Sequence, residues 1–288
     1  MKRGQKNGSG KTISRSQVFG DAYPNIAAFY ERLESGEIQP AFKSHQSSQN
    51  EGDIAIEFTK TATYDEATGL LLNGDEDSKK RIAENGVAAI LKQPQKDERI
   101  RQRVLAPCGF LPHVPNAIAG RPNSMIAERT QKVRKRVVTV AYNIAANCNI
   151  TAEDMQQAAA DVVAAVLKCE KSGVRVNLYV VCVSEDGGKY CAFAIKIKDS
   201  AQHLDLLKMA YPLTHPSMLR RHEFRYTETQ PGLPESFSCG YGRAESKRET
   251  VEQVLSCIGV TADSVLSYYD VHTMTHQQIM DEITGQNK

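Results

Sequence analysis

The run Val137-Val138-Thr139-Val140-Ala141-Tyr142 is apolar without alternation, as in a strand buried on both of its faces. Thr151-Ala152-Glu153-Asp154 then has the form of a capping box, and Met155, Ala158, Ala159, Val162, Val166 and Leu167 follow on one helical face. Gly173 stops that helix. Residues 174–183 form a second apolar strand, and Asp186-Gly187-Gly188 turns into a third, where Cys191, Phe193, Ile195 and Ile197 alternate with smaller or polar residues. Strands buried on both faces need helices on both sides, so this order predicts an α/β sheet covered above and below.

The flanks are read from the same signals. Beyond the hairpin, Asp199 or Ser200 is expected to cap a helix through Leu204, Leu207 and Ala210, and Pro216 to open a shorter one. A helix on Val251, Val254, Leu255 and Ile258, a last strand over 265–271 and a helix capped by Thr275 complete this half. Before the sheet, Ile26, Phe29, Tyr30 and Leu33 recur at helical spacing between Pro24 and Gly36. Thr63-Tyr64-Asp65-Glu66 starts a second helix that Asn73-Gly74 ends, and a basic third covers residues 77–92, weakened at Asn85-Gly86. Residues 106–124 carry Pro107, Pro112, Pro115 and Pro122 with Gly109 and Gly120 and read as an irregular connector. The expected organisation is a flexible basic arm over 1–16, a small mainly helical region over 17–105, a connector over 106–132 and an α/β domain over 133–288.

Charge is segregated along the chain. The formal total is +2, yet residues 79–136 hold 14 basic groups against 4 acidic, and residues 21–78 hold 3 against 12. Such clustering bears on partners, not on fold. Positions 99, 101 and 103 are all Arg, and an extended chain places alternate residues on one face. Lys132, Arg134, Lys135 and Arg136 form a second cluster, and Lys79, Lys80 and Arg81 a third. These ten residues are the candidate nucleic-acid contacts, since phosphates attract basic patches through counterion release. Aromatic residues to stack bases are few near them, with Phe110 alone close by and no Trp in the chain.

Other chemistry is thinly represented. Seven cysteines without C-x-x-C spacing suit reduced, largely buried thiols and a reducing compartment. Ser9-Gly10-Lys11-Thr12 lacks the first glycine of a phosphate loop, Gln5 standing in its place. His272 and His276 lack the intervening Glu of a zinc-protease helix, and neither His113 nor His215 has a nucleophile paired with it. No apolar run reaches membrane-spanning length and no secretory signal is expected.

Residues 133–288 resemble a von Willebrand factor A-like domain in this order of strands and helices. In that family the first strand ends in D-x-S-x-S, which helps hold a divalent metal. Here the matching positions are Asn143-Ile144-Ala145-Ala146-Asn147, with Asn143, Ala145 and Asn147 in place of the acid and hydroxyls. Two carboxamides without a carboxylate make a poor site for a hard cation, so no metal or other cofactor is expected. A wider likeness over most of residues 50–245 rests on three segments: Phe58-Thr59-Lys60 to Asn73-Gly74, Gly109-Phe110 to Ser124-Met125, and His215-Pro216 to Arg220-Arg221, with Asn116-Ala117-Ile118-Ala119-Gly120-Arg121-Pro122-Asn123-Ser124-Met125 the strongest single match. These resemble an uncharacterised family of tailed-bacteriophage proteins. The resemblance implies a viral protein made in a bacterial cell, so the host cytoplasm or the virion is its expected place. No catalytic motif stands out in the residues themselves, so a non-catalytic binding protein is expected, with other phage or host proteins and, from the basic clusters, DNA or RNA as candidate partners. Two other readings are an accessory virion protein and an enzyme with its site near Asn143.

Overall fold

The structure, a computed structural model, describes residues 12–43, 45–49, 52–92, 99–132 and 136–285. Strand β1 (Val18–Tyr23) opens it, followed by α1 (Ile26–Ser35), α2 (Gln46–Gln49), α3 (Asp53–Thr59), α4 (Tyr64–Asn73), α5 (Glu76–Ile82) and α6 (Ala88–Leu91). Next come β2 (Arg99–Ala106), β3 (Leu111–Pro112), α7 (Val114–Ile118) and β4 (Met125–Lys132). The remainder is β5 (Val137–Asn143), α8 (Ala152–Lys171), β6 (Arg175–Asp186), β7 (Lys189–Lys198), α9 (Leu206–Thr214), α10 (Phe224–Glu228), β8 (Arg243–Ala244), α11 (Arg248–Cys257), β9 (Ser264–Ser267), α12 (Tyr268–Val271) and α13 (His276–Thr284).

The central sheet runs β1-β7-β6-β5-β9, with β8 alongside β6 beyond the end of β5. Every pairing along that order is parallel except the β6–β7 hairpin. Helices cover both faces, as the unbroken apolar strands require. Val138, Val140 and Tyr142 of β5 face the core built on α8, whereas Ala141 joins Val181, Val183, Ala192 and Ala194 under Val251, Val254 and Leu255 of α11.

Helix α8 is more deeply buried than its sequence face implies. Besides the expected stripe, Ala160, Val163, Ala164, Ala165 and Cys169 are buried. Its outer side is covered by α5, α6, the π-helical turn Ala83–Val87 between them, and α13. Phe29, Leu33, Leu71 and Ile82 therefore share one core with the sheet, and residues 17–105 are not a separate region. Small alanines along α8 leave room for this second layer to approach.

Several boundaries differ for local reasons. Strand β1 lies in the region read as helical; Gly20 (φ +151) lets it approach β7, where a Cβ would meet the Ala192 carbonyl oxygen at 1.6 Å. Ile13 donates its N–H to Gln253 and packs under α11, so residues 12–16 of the expected flexible arm are placed, and residues 1–11 lie outside the described residues. Asn25, not Pro24, starts α1, because its side chain accepts the Ala28 N–H. Asp205 starts α9 in the same way. The last strand stops at Ser267, whose hydroxyl accepts the Asp270 N–H and opens α12. Asn85-Gly86 falls within the π turn, which widens the helix at its weakest point.

Residues 106–132 are not a connector between two cores. Strand β4 pairs antiparallel with β2 along its whole length and with β3 on its other side, giving a second sheet of order β2-β4-β3. Within this arm only Ala106 is buried among the side chains described. The glycines and prolines read as an irregular connector, yet Pro112 lies in β3 and Pro115 in α7, and the strands of the arm are too polar to announce a pairing partner.

Candidate functional site

Two places stand out, one on the arm and one in the body. Along the arm the register runs from Arg99↔Lys132 through Arg101↔Thr130 and Arg103↔Glu128 to Leu105↔Ile126. Directly opposed residues share a face, so positions 99, 101, 103 and 132 lie together on one side of the ribbon. The arm contains six basic residues, with Glu128 its single acid. At the far end Leu105, Phe110, Leu111, Val114 and Ile118 are exposed, Phe110 by 59% and Ile118 by 83%. An element with an exposed apolar tip and almost no core gains little by folding alone, which is the usual mark of a contact surface.

The other basic candidates lie elsewhere. Lys79 pairs with Glu76 at 3.0 Å and Lys80 with Asp77 at 3.8 Å, both on the surface of α5. Arg81 donates to the Gln156 side chain on α8 at 2.6 Å. Arg136 donates to the Thr284 carbonyl at 2.8 Å, closing the C-terminal end of α13. Arg134 and Lys135 lie outside the described residues. The structure thus places Arg99, Arg101, Arg103 and Lys132 in one two-stranded ladder, whereas Lys79, Lys80 and Arg81 belong to α5.

The body contains a cavity of about 190 Å³ at the C-terminal ends of β5 and β6. Ala145, Ala146 and Asn147 of the loop after β5 line it, with Cys182 and Ser184 of β6. Leu219, Arg220 and Glu223 enter from a π-helical turn (Met218–Glu223) that runs into α10, and Gly240-Tyr241-Gly242 closes the far wall. Tyr241 has φ +60, unfavourable for a side chain with a Cβ. It is held there by its hydroxyl, which donates to Glu228 at 2.7 Å, and by stacking on Phe224 with ring centroids 4.1 Å apart.

Electrostatics in this region follow burial. Desolvation raises the Glu223 carboxyl from 4.5 to about 8; nearby Glu228 pushes the same way and a hydrogen bond from Thr227 opposes it. Desolvation lowers His222 from 6.5 to about 3 and His215 from 6.5 to about 4. Arg221 is fully buried, donating to the Thr61 hydroxyl at 2.7 Å and to the carbonyls of Thr61, Ala62 and Ser47.

The three positions matching the metal motif do not fit a cation. Asn143 is fully buried, its Nδ2 donating to the Glu245 carbonyl and its Oδ1 accepting the Ala145 N–H. Ala145 offers no side-chain oxygen, and Asn147 is exposed. Among the described residues no three of His, Cys, Asp and Glu come together as ligands. His276 instead meets Asp161 at 2.8 Å, and His272 stacks on Tyr268.

Arg220, Glu223 and Tyr241 were not among the site candidates read from the sequence, because they are brought together only by the fold. The available signals were Arg-Arg-His-Glu inside one helix and Tyr241 between two glycines, and neither indicates a cavity by itself.

Fold and site together define a mixed α/β protein with a mostly parallel, helix-covered sheet and a projecting basic arm. The chain belongs to the family described as Domain of unknown function (DUF7192), whose model matches residues 6–282. No curated protein and no solved structure matches it. No helix among the described residues is long and apolar enough to cross a membrane.

Proposed function

We propose that this protein is a non-catalytic binding protein of a tailed bacteriophage, acting in the host cytoplasm. Its body is a degenerate von Willebrand factor A-like domain that contacts other proteins, and its arm lies on a nucleic-acid backbone. The strand order β7-β6-β5-β9 with an antiparallel β7 supports the A-like reading. The observation that carries the nucleic-acid reading is the arm. Its eight-residue strands make a ribbon of about 27 Å at ~3.4 Å per residue, with Arg99, Arg101, Arg103 and Lys132 at positions on one face. Phosphate contact of this kind is sequence-independent and salt-sensitive.

The test is fluorescence anisotropy of labelled duplex DNA, single-stranded DNA and RNA against intact protein between 50 and 300 mM salt. Binding to at least one is expected, with log Kd linear in log salt. Arg101→Ala with Arg103→Ala should weaken it roughly tenfold or more at low salt, and flatten the slope by about 0.9 per lost duplex contact. Absence of binding at low salt would remove the nucleic-acid half of the reading.

The exposed tip favours a second reading, an accessory virion protein that seats Phe110, Leu111, Val114 and Ile118 on a neighbouring subunit. Presence of the chain in purified particles supports that reading, and strict absence excludes it.

A further inference from the structure

Arg220 lines the body cavity and is only 4% exposed, yet among the described residues no carboxylate forms an ion pair with it. Burying a guanidinium without a counter-charge is costly, and buried charges are normally paired. Its Nη1 donates to the Phe58 carbonyl at 2.6 Å and its Nη2 to the Ile150 carbonyl at 2.8 Å, with Phe58's ring centre 3.9 Å from the guanidinium carbon. Arginine has five N–H donors, so donors remain after these two bonds. Glu57 and Glu153 line an adjoining cleft that Arg220 also borders, and Glu153 lies 3.9 Å from Lys60.

Two further observations point to the same cavity. The strained Tyr241 forms part of its wall, and such strain concentrates at functional sites. The cavity also lies beyond the carboxyl ends of parallel strands, where open α/β sheets place their ligands. We propose that it binds a small organic oxyanion, a carboxylate or a phosphate ester, whose charge pairs with Arg220 and whose carbon portion rests on Leu219 and Phe224. Arg243 lines the cavity from an exposed position and adds positive charge. Glu223, uncharged at neutral pH, does not repel an anion there. The volume, about 190 Å³, suits a metabolite-sized acid.

Cys148 gives a local readout, because it is exposed and lines the cavity, whereas the exposed Cys108 lies on the arm. Butyrate and inorganic phosphate are titrated into the full chain at ionic strength matched with chloride, and iodoacetamide alkylation of both thiols is followed by peptide mass mapping. At least one anion should slow Cys148 several-fold and saturably while leaving Cys108 unchanged. Protection by butyrate alone marks a carboxylate site, and protection by phosphate alone a phosphate site. Arg220→Met should weaken the protecting anion at least tenfold. If that variant does not fold, Ala146→Leu, which fills the cavity and keeps the guanidinium, should do the same. The proposal is overturned if neither anion protects Cys148 selectively, or if protection persists in a folded variant of either kind.

Discussion

Glu223 is uncharged at neutral pH because burial makes its carboxylate costly, and this ties stability to pH. Its folded value, about 8, lies above the ordinary 4.5, so its contribution is complete below pH 4.5 and is lost as pH rises through 8. His222 and His215 are depressed from 6.5 to about 3 and about 4, so their contribution is present above pH 6.5 and lost as pH falls toward those values. From these three groups the melting temperature should peak near pH 6.5. Glu223→Gln keeps a hydrogen-bond acceptor for Thr227 without the charge. It should remove the decline between pH 6.5 and 8.5, gaining on the order of 5 °C at the alkaline end, and leave the acid limb in place. Calorimetry from pH 5 to 9 checks this; an unchanged alkaline limb in the variant would refute the assignment. The same reasoning explains why these residues were not legible beforehand. A buried Arg-Arg-His-Glu has no amphipathic face, and its partners Thr59, Thr61 and Ser47 stand more than 150 residues away.

Among the elements, the arm is the least self-sufficient. Ladder hydrogen bonds define it, yet a small sheet in which only Ala106 is buried among the described side chains contributes little to global stability. Ala106 and Met125 are the last pair of the β2–β4 ladder, so an Asn-Gly turn can join them directly in place of residues 107–124. That variant should melt within about 1 °C of the intact chain, retain salt-dependent nucleic-acid binding through positions 101 and 103, and lose any assembly made by the apolar tip. Loss of folding would show that the tip supports the body. The arm's arginines were visible as an alternating series, and the structure places that series in a strand. Its partner strand was not foreseen, because Met125–Lys132 mixes single apolar and charged residues without a clean period. Helices with side-chain caps, such as α8 on Thr151 and α13 on Thr275, were legible from a few local residues.

For the whole molecule, the layering over α8 makes the N-terminal residues part of the same cooperative unit. β1 extends the sheet beyond β7, and α5 and α6 cover the outer side of α8, so removing residues 12–92 would expose Val163, Ala164 and neighbouring apolar side chains. Residues 136–285 alone should fail to give a cooperative thermal transition and should bind a hydrophobic dye, whereas the intact chain should unfold in one transition by near- and far-ultraviolet circular dichroism. A cooperative fragment would restore the two-part organisation that composition suggested. Sequence showed the sheet's central strands because each is apolar by itself. It concealed the outer helical layer, since a helix covering another helix looks like any amphipathic surface helix.

The central claim is that the basic β arm is the surface that meets nucleic acid. Amide hydrogen exchange of the intact chain, with and without saturating nucleic acid at 50 mM salt, tests it most directly. Protection is predicted in Arg99–Ala106 and Met125–Lys132, which should exchange quickly in the free protein because so few of the arm's described side chains are buried. Protection confined to the body, with the arm exchanging as fast as before, would contradict it.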